Sequence, residues 1–123
     1  MNRIVVIEDD PAILRGLADN LRMEPYEVLT AADGSDGFRV VCEANPDLVI
    51  LDIMLPQKSG FLVLERIRQG KPRGSKPRVI MITGNQGKRH KQYAESLGVD
   101  AYLNKPFRMD ALLEATEKLL TKP

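Results

Sequence analysis

Short apolar runs alternate along this chain with segments whose apolar residues follow a helical period. The apolar runs are rich in Val and Ile and span only a few residues each, which is typical of strands buried on both faces of a sheet. They predict five strands, at residues 3–7, 27–31, 47–51, 78–82 and 100–103. Near-continuous apolar strands of this kind favour a parallel sheet, because crossover connections place helices over both faces.

The first two helical segments have recognisable starts or apolar stripes. Asp10 is a candidate N-cap, and Pro11 stands at the first helical position of the first helix. In the second helix, Phe38, Val41 and Cys42 form one stripe. Cys42 is therefore expected to be a small buried hydrophobe without a chemical role.

Three more helices are predicted after the third, fourth and fifth strands. One follows Ser59 and ends at Gly70, one covers residues 88–97 and ends before Gly98, and the last covers residues 109–120. This alternation predicts an α/β protein with a doubly wound five-stranded parallel sheet and five helices. No repeat or linker divides the chain, so we expect one domain over residues 1–123, with no second domain present.

Polar residues follow four of the predicted strands at their carboxyl ends. Acids follow two strands, a hydroxyl residue follows a third and a lysine lies past a fourth: Glu8, Asp9, Asp10, Asp52, Thr83 and Lys105. Ligands of open α/β sheets bind outside these ends. Two carboxylates ~4 Å apart repel by about 4 kcal/mol at an effective dielectric near 20, so a bound cation is favoured. Oxygen ligands without a nearby His or second Cys select a hard ion such as Mg²⁺.

A cation, an ammonium group and a hydroxyl together match the oxygens of a phosphoryl group. Lys105 and Thr83 supply the last two of these groups. Asp52 is the best-placed nucleophile, because carboxylates can form aspartyl-phosphate intermediates.

Composition narrows the class of protein. A chain of 123 residues with 43% hydrophobic content can bury a stable core. The single cysteine excludes an intramolecular disulfide, and no signal segment opens the chain, so we expect a cytoplasmic protein. The apolar runs are far shorter than the ~20 residues that span a bilayer, so no membrane contact is expected.

Positive charge is concentrated in one stretch although the net charge is only +1. Nine of the 18 Lys and Arg residues lie between residues 66 and 91, where there is no Asp or Glu. The stretch is interpreted as a solvated face or as a docking surface for an acidic partner. Direct nucleic-acid binding is disfavoured because aromatic residues are not interleaved there, and His90 is expected to have no chemical role.

The chain resembles the receiver domain of two-component response regulators, the CheY-like family. Four motifs carry the resemblance: Ile7-Glu8-Asp9-Asp10, Leu51-Asp52-Ile53-Met54-Leu55-Pro56, Ile82-Thr83-Gly84 and Ala101-Tyr102-Leu103-Asn104-Lys105-Pro106-Phe107. They span essentially the whole chain in the expected order. The resemblance implies a flavodoxin-like (βα)5 fold with strand order 2-1-3-4-5.

The resemblance also implies a phosphoryl-accepting switch of a two-component system or phosphorelay. Asp52 would accept the phosphoryl group, with Mg²⁺, from a histidine kinase or histidine phosphotransfer protein. Asp9 and Asp52 would hold the ion, with Glu8 acting through water and the Met54 backbone carbonyl completing the site. Asp10 would mainly cap the first helix, with a minor metal role.

Further roles are implied for residues around the phosphoryl group. Lys105 would pair with Asp52 and then with a phosphoryl oxygen, across a cis bond to Pro106. Thr83 would hydrogen-bond the phosphoryl group, Tyr102 would swing inward behind it, and Gly84 would contact it through its backbone. The face built from helix four, strand five and helix five would be remodelled, and a phosphorylation-dependent dimer could follow.

The residues also permit two other interpretations. A magnesium-dependent phosphatase or phosphotransferase would also use an aspartyl nucleophile, but such enzymes usually carry a second Asp where Met54 stands. A flavodoxin-like mononucleotide binder would want a Ser, Thr and Gly loop after the first strand, where Glu8 and its neighbours repel phosphate. We therefore expect a protein that is not an enzyme and that catalyses only its own phosphotransfer and autodephosphorylation. The output would be a protein partner, or a missing C-terminal domain if the chain is the N-terminal receiver of a longer transcription regulator.

Overall fold

The structure is a computed structural model, and it describes residues 2–55, 59–69, 77–84 and 87–121. Strands and helices alternate within these ranges, in the order β1 (Asn2–Ile7), α1 (Pro11–Arg22), β2 (Tyr26–Ala31), α2 (Gly34–Ala44), β3 (Leu48–Asp52), α3 (Gly60–Arg68), β4 (Arg78–Thr83), α4 (Lys88–Ser96), β5 (Ala101–Asn104) and α5 (Met109–Thr121). All predicted elements are present, with ends shifted by a few residues at most. The predicted helix end at Gly70 and the motif residue Pro56 lie outside the described residues.

The strands form one parallel sheet in the order β2-β1-β3-β4-β5, which confirms the fold predicted from the resemblance. Register places Ile7 beside Leu51, Asp52 beside Ile82 and Thr83 beside Asn104. The carboxyl ends of β1, β3, β4 and β5 therefore lie at one edge of the sheet. This edge brings together the polar residues that follow those strands.

Both faces of the sheet are buried, which explains why the strand sequences are apolar at every position. Val5 and Val49 point to the face covered by α2 and α3, whereas Val6 and Ile50 point to the face covered by α1 and α5. All four side chains are fully buried. Each such side chain contributes about 1.5–3 kcal/mol to stability, so the sheet holds its edge in a rigid position.

The helix starts follow from capping chemistry. Oδ1 of Asp10 accepts hydrogen bonds from the backbone N–H groups of Ala12, at 2.9 Å, and Ile13, at 3.2 Å, and Pro11 is the first helical residue. The N-cap prediction for Asp10 is thus confirmed. Ser59 caps α3 through its hydroxyl, which accepts from the N–H of Leu62 at 3.3 Å.

The prediction of a buried Cys42 is wrong, because the thiol is exposed on α2. The buried stripe of this helix consists of residues three and four positions apart, namely Gly34, Gly37, Val41 and Ala44. Cys42 follows Val41 directly and is turned by about 100° away from that stripe. None of the described helices is both long enough and apolar enough to cross a bilayer.

Candidate functional site

Three carboxylates meet at the carboxyl edge of the sheet. Glu8 and Asp9 follow β1 and Asp52 ends β3, and one oxygen from each lies within 4.8 Å of the others. Glu8 is 0% exposed and Asp52 is 2% exposed, whereas Asp9 faces solvent. The cluster is therefore anchored in the core on one side and open to water on the other.

Lys105 lies between the two buried carboxylates. Its Nζ is 2.7 Å from Oε1 of Glu8 and 3.2 Å from Oδ2 of Asp52. Its backbone N–H donates to the carbonyl oxygen of Thr83 at 2.7 Å, and its peptide bond to Pro106 is cis. The ammonium group is thus fixed from both its side chain and its backbone, and it neutralises part of the buried negative charge.

Backbone N–H groups orient the carboxylates further. Oε2 of Glu8 accepts from the N–H of Asp10 at 3.0 Å, and Oδ1 of Asp52 accepts from the N–H of Met54 at 3.3 Å. Each buried carboxylate therefore has one oxygen near Lys105 and the other near a backbone donor. This arrangement fixes the plane of each group before any ligand binds.

Burial has a large effect on Glu8. Desolvation raises the pKa of this carboxyl to about 7, and the Asp52 charge adds to the increase, although Asp10 and Lys105 oppose it through hydrogen bonds. Desolvation lowers the pKa of Lys105, but its contacts with Glu8 and Asp52 outweigh this and raise it above the usual value. Lys105 is therefore charged at neutral pH, while Glu8 can exchange a proton for a metal ion.

Thr83 and Gly84 lie beside the carboxylates at the end of β4. Thr83 is fully buried and pairs with Asn104 of β5 in the sheet. Gly84 is exposed, and a Cβ atom added to it would meet no atom of the described residues within 4 Å. The edge is therefore open at this position, so a ligand bound to Asp52 can be reached from solvent.

Tyr102 lies on β5 beside Met81 of β4 and packs half-buried against the core under α2 and α3. Its hydroxyl is buried and has no hydrogen-bond partner among the residues that the structure describes. Burial raises the pKa of this phenol, so it is neutral and remains a hydrogen-bond donor. A buried hydroxyl without a partner costs about 1–3 kcal/mol, which a rearrangement near it could recover.

Gly60 is a site residue whose importance the sequence analysis missed. It begins α3, and its N–H donates to the carbonyl oxygen of Ile53 at 2.9 Å. A Cβ atom on Gly60 would lie 2.2 Å from the carbonyl oxygen of Asp52 and 2.7 Å from Cα of Ile53. The start of α3 therefore packs against the backbone that carries Asp52, and the only sequence signal was a glycine after the Ser59 cap.

The structure thus brings Glu8, Asp9, Asp52 and Lys105 together as the sequence predicted, although their functional roles stay predictions. Asp10 lies beside them as the cap of α1. Met54 has an exposed side chain, and the role of its carbonyl group as a metal ligand stays a prediction. Hard oxygen donors from three carboxylates, two of them buried, fit an ion such as Mg²⁺.

Comparison with known proteins assigns the family. Residues 4–117 match the response regulator receiver domain. The chain belongs to this family. It is 38% identical over 122 residues to the "DNA-binding dual master transcriptional regulator RpaA" of Synechocystis sp., covering 99% of this chain and 50% of that protein. It is 40% identical over 113 residues to the "Transcriptional regulatory protein KdpE" of Mycobacterium tuberculosis, covering 92% and 48%. The chain therefore spans about half the length of these curated relatives.

A solved structure agrees with the family assignment. The CheY-like response regulator receiver domain protein from Methanospirillum hungatei JF-1 superposes with a TM-score of 0.88 at 33% identity, covering 97% of this chain and 94% of that one. Receiver domains are signalling domains of two-component systems. The expectation of phosphorylation-based signalling is confirmed at this general level.

Proposed function

We propose that this receiver domain is a switch in which Asp52 accepts a phosphoryl group from the phosphohistidine of a histidine kinase or histidine phosphotransfer protein. The observation that carries the proposal is the environment of the Asp52 carboxylate. It is buried, oriented by the Met54 N–H and Lys105, and adjacent to two more carboxylates that can hold Mg²⁺. The alternative of a phosphatase lacks the second Asp, because the exposed Met54 stands at that position.

The transfer forms a bond between phosphorus and a carboxylate oxygen of Asp52 and breaks the bond from phosphorus to the donor nitrogen. The leaving imidazole keeps the electron pair of that bond. Mg²⁺, when bound, offsets the negative charge of the carboxylates and the phosphoryl oxygens. Glu8 and Asp9 would hold the ion together with Asp52.

Lys105 suits both states of the switch. In the unphosphorylated domain its ammonium group is shared between Glu8 and Asp52. After transfer it can donate to a phosphoryl oxygen while it keeps the 2.7 Å contact with Glu8. The charge of Lys105 thus stays paired throughout, and no buried cation is left without a partner.

The readout would begin at Thr83 and Tyr102. The Thr83 hydroxyl and the backbone amides around Gly84 would donate to the new oxygens, and each charge-assisted hydrogen bond is worth about 1.5–3 kcal/mol. Two or three of them supply the ~5.5 kcal/mol that reverses a 1:99 equilibrium. The half-buried ring of Tyr102, whose buried hydroxyl lacks a partner among the described residues, would then reorient and remodel the face built from α4, β5 and α5.

Incubation with acetyl phosphate and Mg²⁺, followed by intact-mass spectrometry, tests the proposal. We expect one phosphoryl group on the native chain, none on Asp52→Asn, and none when a chelator removes Mg²⁺. An equal mass gain with Asp52→Asn, or no mass gain with the native chain, would contradict the proposal. Transfer from a purified phosphorylated histidine phosphotransfer protein then tests the class of donor.

The target of the phosphorylated domain is a protein partner or an output domain of the same chain. Residues 1–123 would then act as one receiver domain, which the longer relatives combine with further sequence. Reading the gene beyond codon 123 distinguishes these two arrangements. The cytoplasmic location expected from the sequence stays a prediction.

A further inference from the structure

One surface of the domain is an acidic groove between α5 and the segment that enters β2. Its volume is about 660 Å³. Among the residues that the structure describes, all the charged residues that line it are acids, namely Glu24, Asp110, Glu114 and Glu117. Tyr26, Leu113 and Leu120 provide an apolar lining. The groove is therefore concave, apolar within and negative at its rim.

Most of this negative charge has no counter-charge within the described residues. Asp110 pairs with Arg108, but Glu24, Glu114 and Glu117 form no ion pair with a cation in that part of the chain. The effect reaches Tyr26, whose pKa is raised by burial and then by the charges of Glu117 and Glu24. The groove would therefore attract a cationic segment with some apolar surface.

A second surface carries the opposite charge. Lys88, Arg89 and Lys91 are all exposed in the first half of α4, and none of them forms an ion pair with a described acid. Tyr93 follows on the same helix with 42% of its surface exposed. The rings of His90 and Tyr93 pack edge-to-face on Phe61 of α3, whereas the three cations face solvent and can contact a partner.

These cations do not stabilise their own helix. The positive end of a helix macrodipole lies at its N-terminus, where Lys88 and Arg89 stand, and cations there are unfavourable by a few tenths of a kcal/mol. The N-cap residue, Gly87, contributes no side-chain hydrogen bond that would compensate. A role in binding explains this placement of charge better than a role in folding.

We propose that α4 of one copy of this chain binds in the acidic groove of a second copy. The groove and the helix are complementary in charge, and the net charge of +1 sets no barrier to association. The exposed part of the Tyr93 ring, which packs edge-to-face on Phe61 of its own chain, would contact Leu113 and Leu120 in the groove. The inference does not depend on the proposed phosphorylation, since both surfaces are present in the unmodified chain.

The position of the two surfaces fixes the geometry of the contact. α4 packs through Ala94 on one face of the sheet, whereas α5 packs through Leu112 on the other face. They cannot meet within one molecule, so the contact is head-to-tail and leaves one free groove and one free helix at the ends. Contacts of this kind extend into open chains instead of closing into a symmetric dimer.

Sedimentation velocity of the unphosphorylated chain, without Mg²⁺, tests the proposal. We expect the average mass to rise above 13.8 kDa with concentration at about 0.01 M salt, where the Debye length is about 30 Å. It should return to the monomer value at about 1 M salt, where that length is about 3 Å. A chain that stays monomeric at all concentrations in low salt overturns the proposal.

Two charge-reversed variants make the test specific. Glu114→Lys/Glu117→Lys removes the groove and Arg89→Glu/Lys91→Glu removes the helix surface, so each variant alone should stay monomeric. Their mixture should associate, because the intact helix of one variant fits the intact groove of the other, and the two reversed surfaces are also opposite in charge. The mixture should therefore regain the concentration-dependent rise in mass above 13.8 kDa that is expected of the native chain.

Single reversals on α1 are the matched controls. Arg15→Glu and Asp19→Lys change exposed residues that belong to neither surface, and these variants should associate as the native chain does. Circular dichroism shows that each variant is folded. Association by either double variant alone, or two folded double variants that fail to pair on mixing, contradicts head-to-tail binding.

Discussion

Replacing Gly60 with Ala tests how closely α3 must approach the strand that carries Asp52. The new Cβ atom would lie 2.2 Å from the Asp52 carbonyl oxygen, 2.9 Å from its carbonyl carbon and 2.7 Å from Cα of Ile53. Ordinary contact begins near 3.4 Å, so the start of α3 must move by about 3.4 − 2.2 = 1.2 Å. Since all three neighbours are backbone atoms, no side chain can rotate to relieve the clash.

Two energies combine in this variant. Overpacking of a filled interior costs about 1–3 kcal/mol. The same movement stretches the 2.9 Å hydrogen bond from the Gly60 N–H to Ile53, which is worth about 0.5–1.5 kcal/mol. We therefore expect Gly60→Ala to lower the free energy of unfolding by about 2–4 kcal/mol.

Urea unfolding followed by circular dichroism measures this loss, since the chain has no Trp for fluorescence. Gly16→Ala is the matched control. Its Cβ would lie 3.9 Å from Cε of Met109, and an alanine inside α1 should add about 0.5–1 kcal/mol. The displaced backbone should also slow phosphorylation by acetyl phosphate, since a ~1 Å misplacement can cost 10²-fold in rate. A Gly60→Ala protein as stable as the native chain, next to a stabilised Gly16→Ala protein, would refute the close-approach argument.

Three further substitutions probe the buried charges. Because the pKa of Glu8 is about 7 in the folded domain against 4.5 as the reference, its contribution to metal-free stability is complete below pH 4.5 and is lost as the pH rises through 7. Urea unfolding should show that the free energy of unfolding falls by up to about 3 kcal/mol across this window. Glu8→Gln should flatten this dependence of stability on pH. Lys105→Met leaves two buried carboxylates without their cation. The free energy of unfolding should therefore fall by up to about 3–5 kcal/mol above pH 7. The fall should be smaller at low pH, because Glu8 is protonated there. Arg68 donates to the carbonyl oxygens of Pro77 at 2.8 Å and Gly98 at 2.6 Å. Arg68→Ala should therefore lower the free energy of unfolding by about 2–4 kcal/mol and speed hydrogen exchange at the end of α4. As a control, Arg108→Ala at an exposed position should leave the urea midpoint unchanged.

Much of the fold and part of the site follow from the sequence because they depend on local pattern and on one geometric rule. Continuous apolar runs such as residues 48–51 report burial on both faces, and parallel strands bring their carboxyl ends to one edge. Glu8 and Asp52 therefore had to be neighbours once β1 and β3 were adjacent. The adjacency itself came from the family resemblance, since periodicity carries no information about strand order.

The features that were missed depend on distances between residues far apart in the chain. The contact of Gly60 with the Asp52 backbone appears only when α3 is docked on β3. The guanidinium of Arg68 joins α3 to the C-terminal end of α4 and to the residue before β4. In the sequence, Arg68 is one of many basic residues in its stretch, so nothing there indicates these contacts. The prediction that Cys42 is buried was wrong for a related reason, because neighbouring positions on a helix differ by about 100° and can be buried and exposed in turn.

Helix α4 is involved both in the proposed switch and in the proposed contact between copies. This helix buries only Ala94, and Arg68 holds its C-terminal end through the carbonyl oxygens of Leu97 and Gly98. Its N-terminal end, which carries the cations, lies just after Thr83 and Gly84, where the phosphoryl group would draw the backbone inward. A pivot at the anchored end would then move Arg89 and Lys91 the furthest. Phosphorylation of Asp52 should therefore change the strength of the head-to-tail contact, and the same sedimentation experiment on the acetyl phosphate-treated chain measures that change directly.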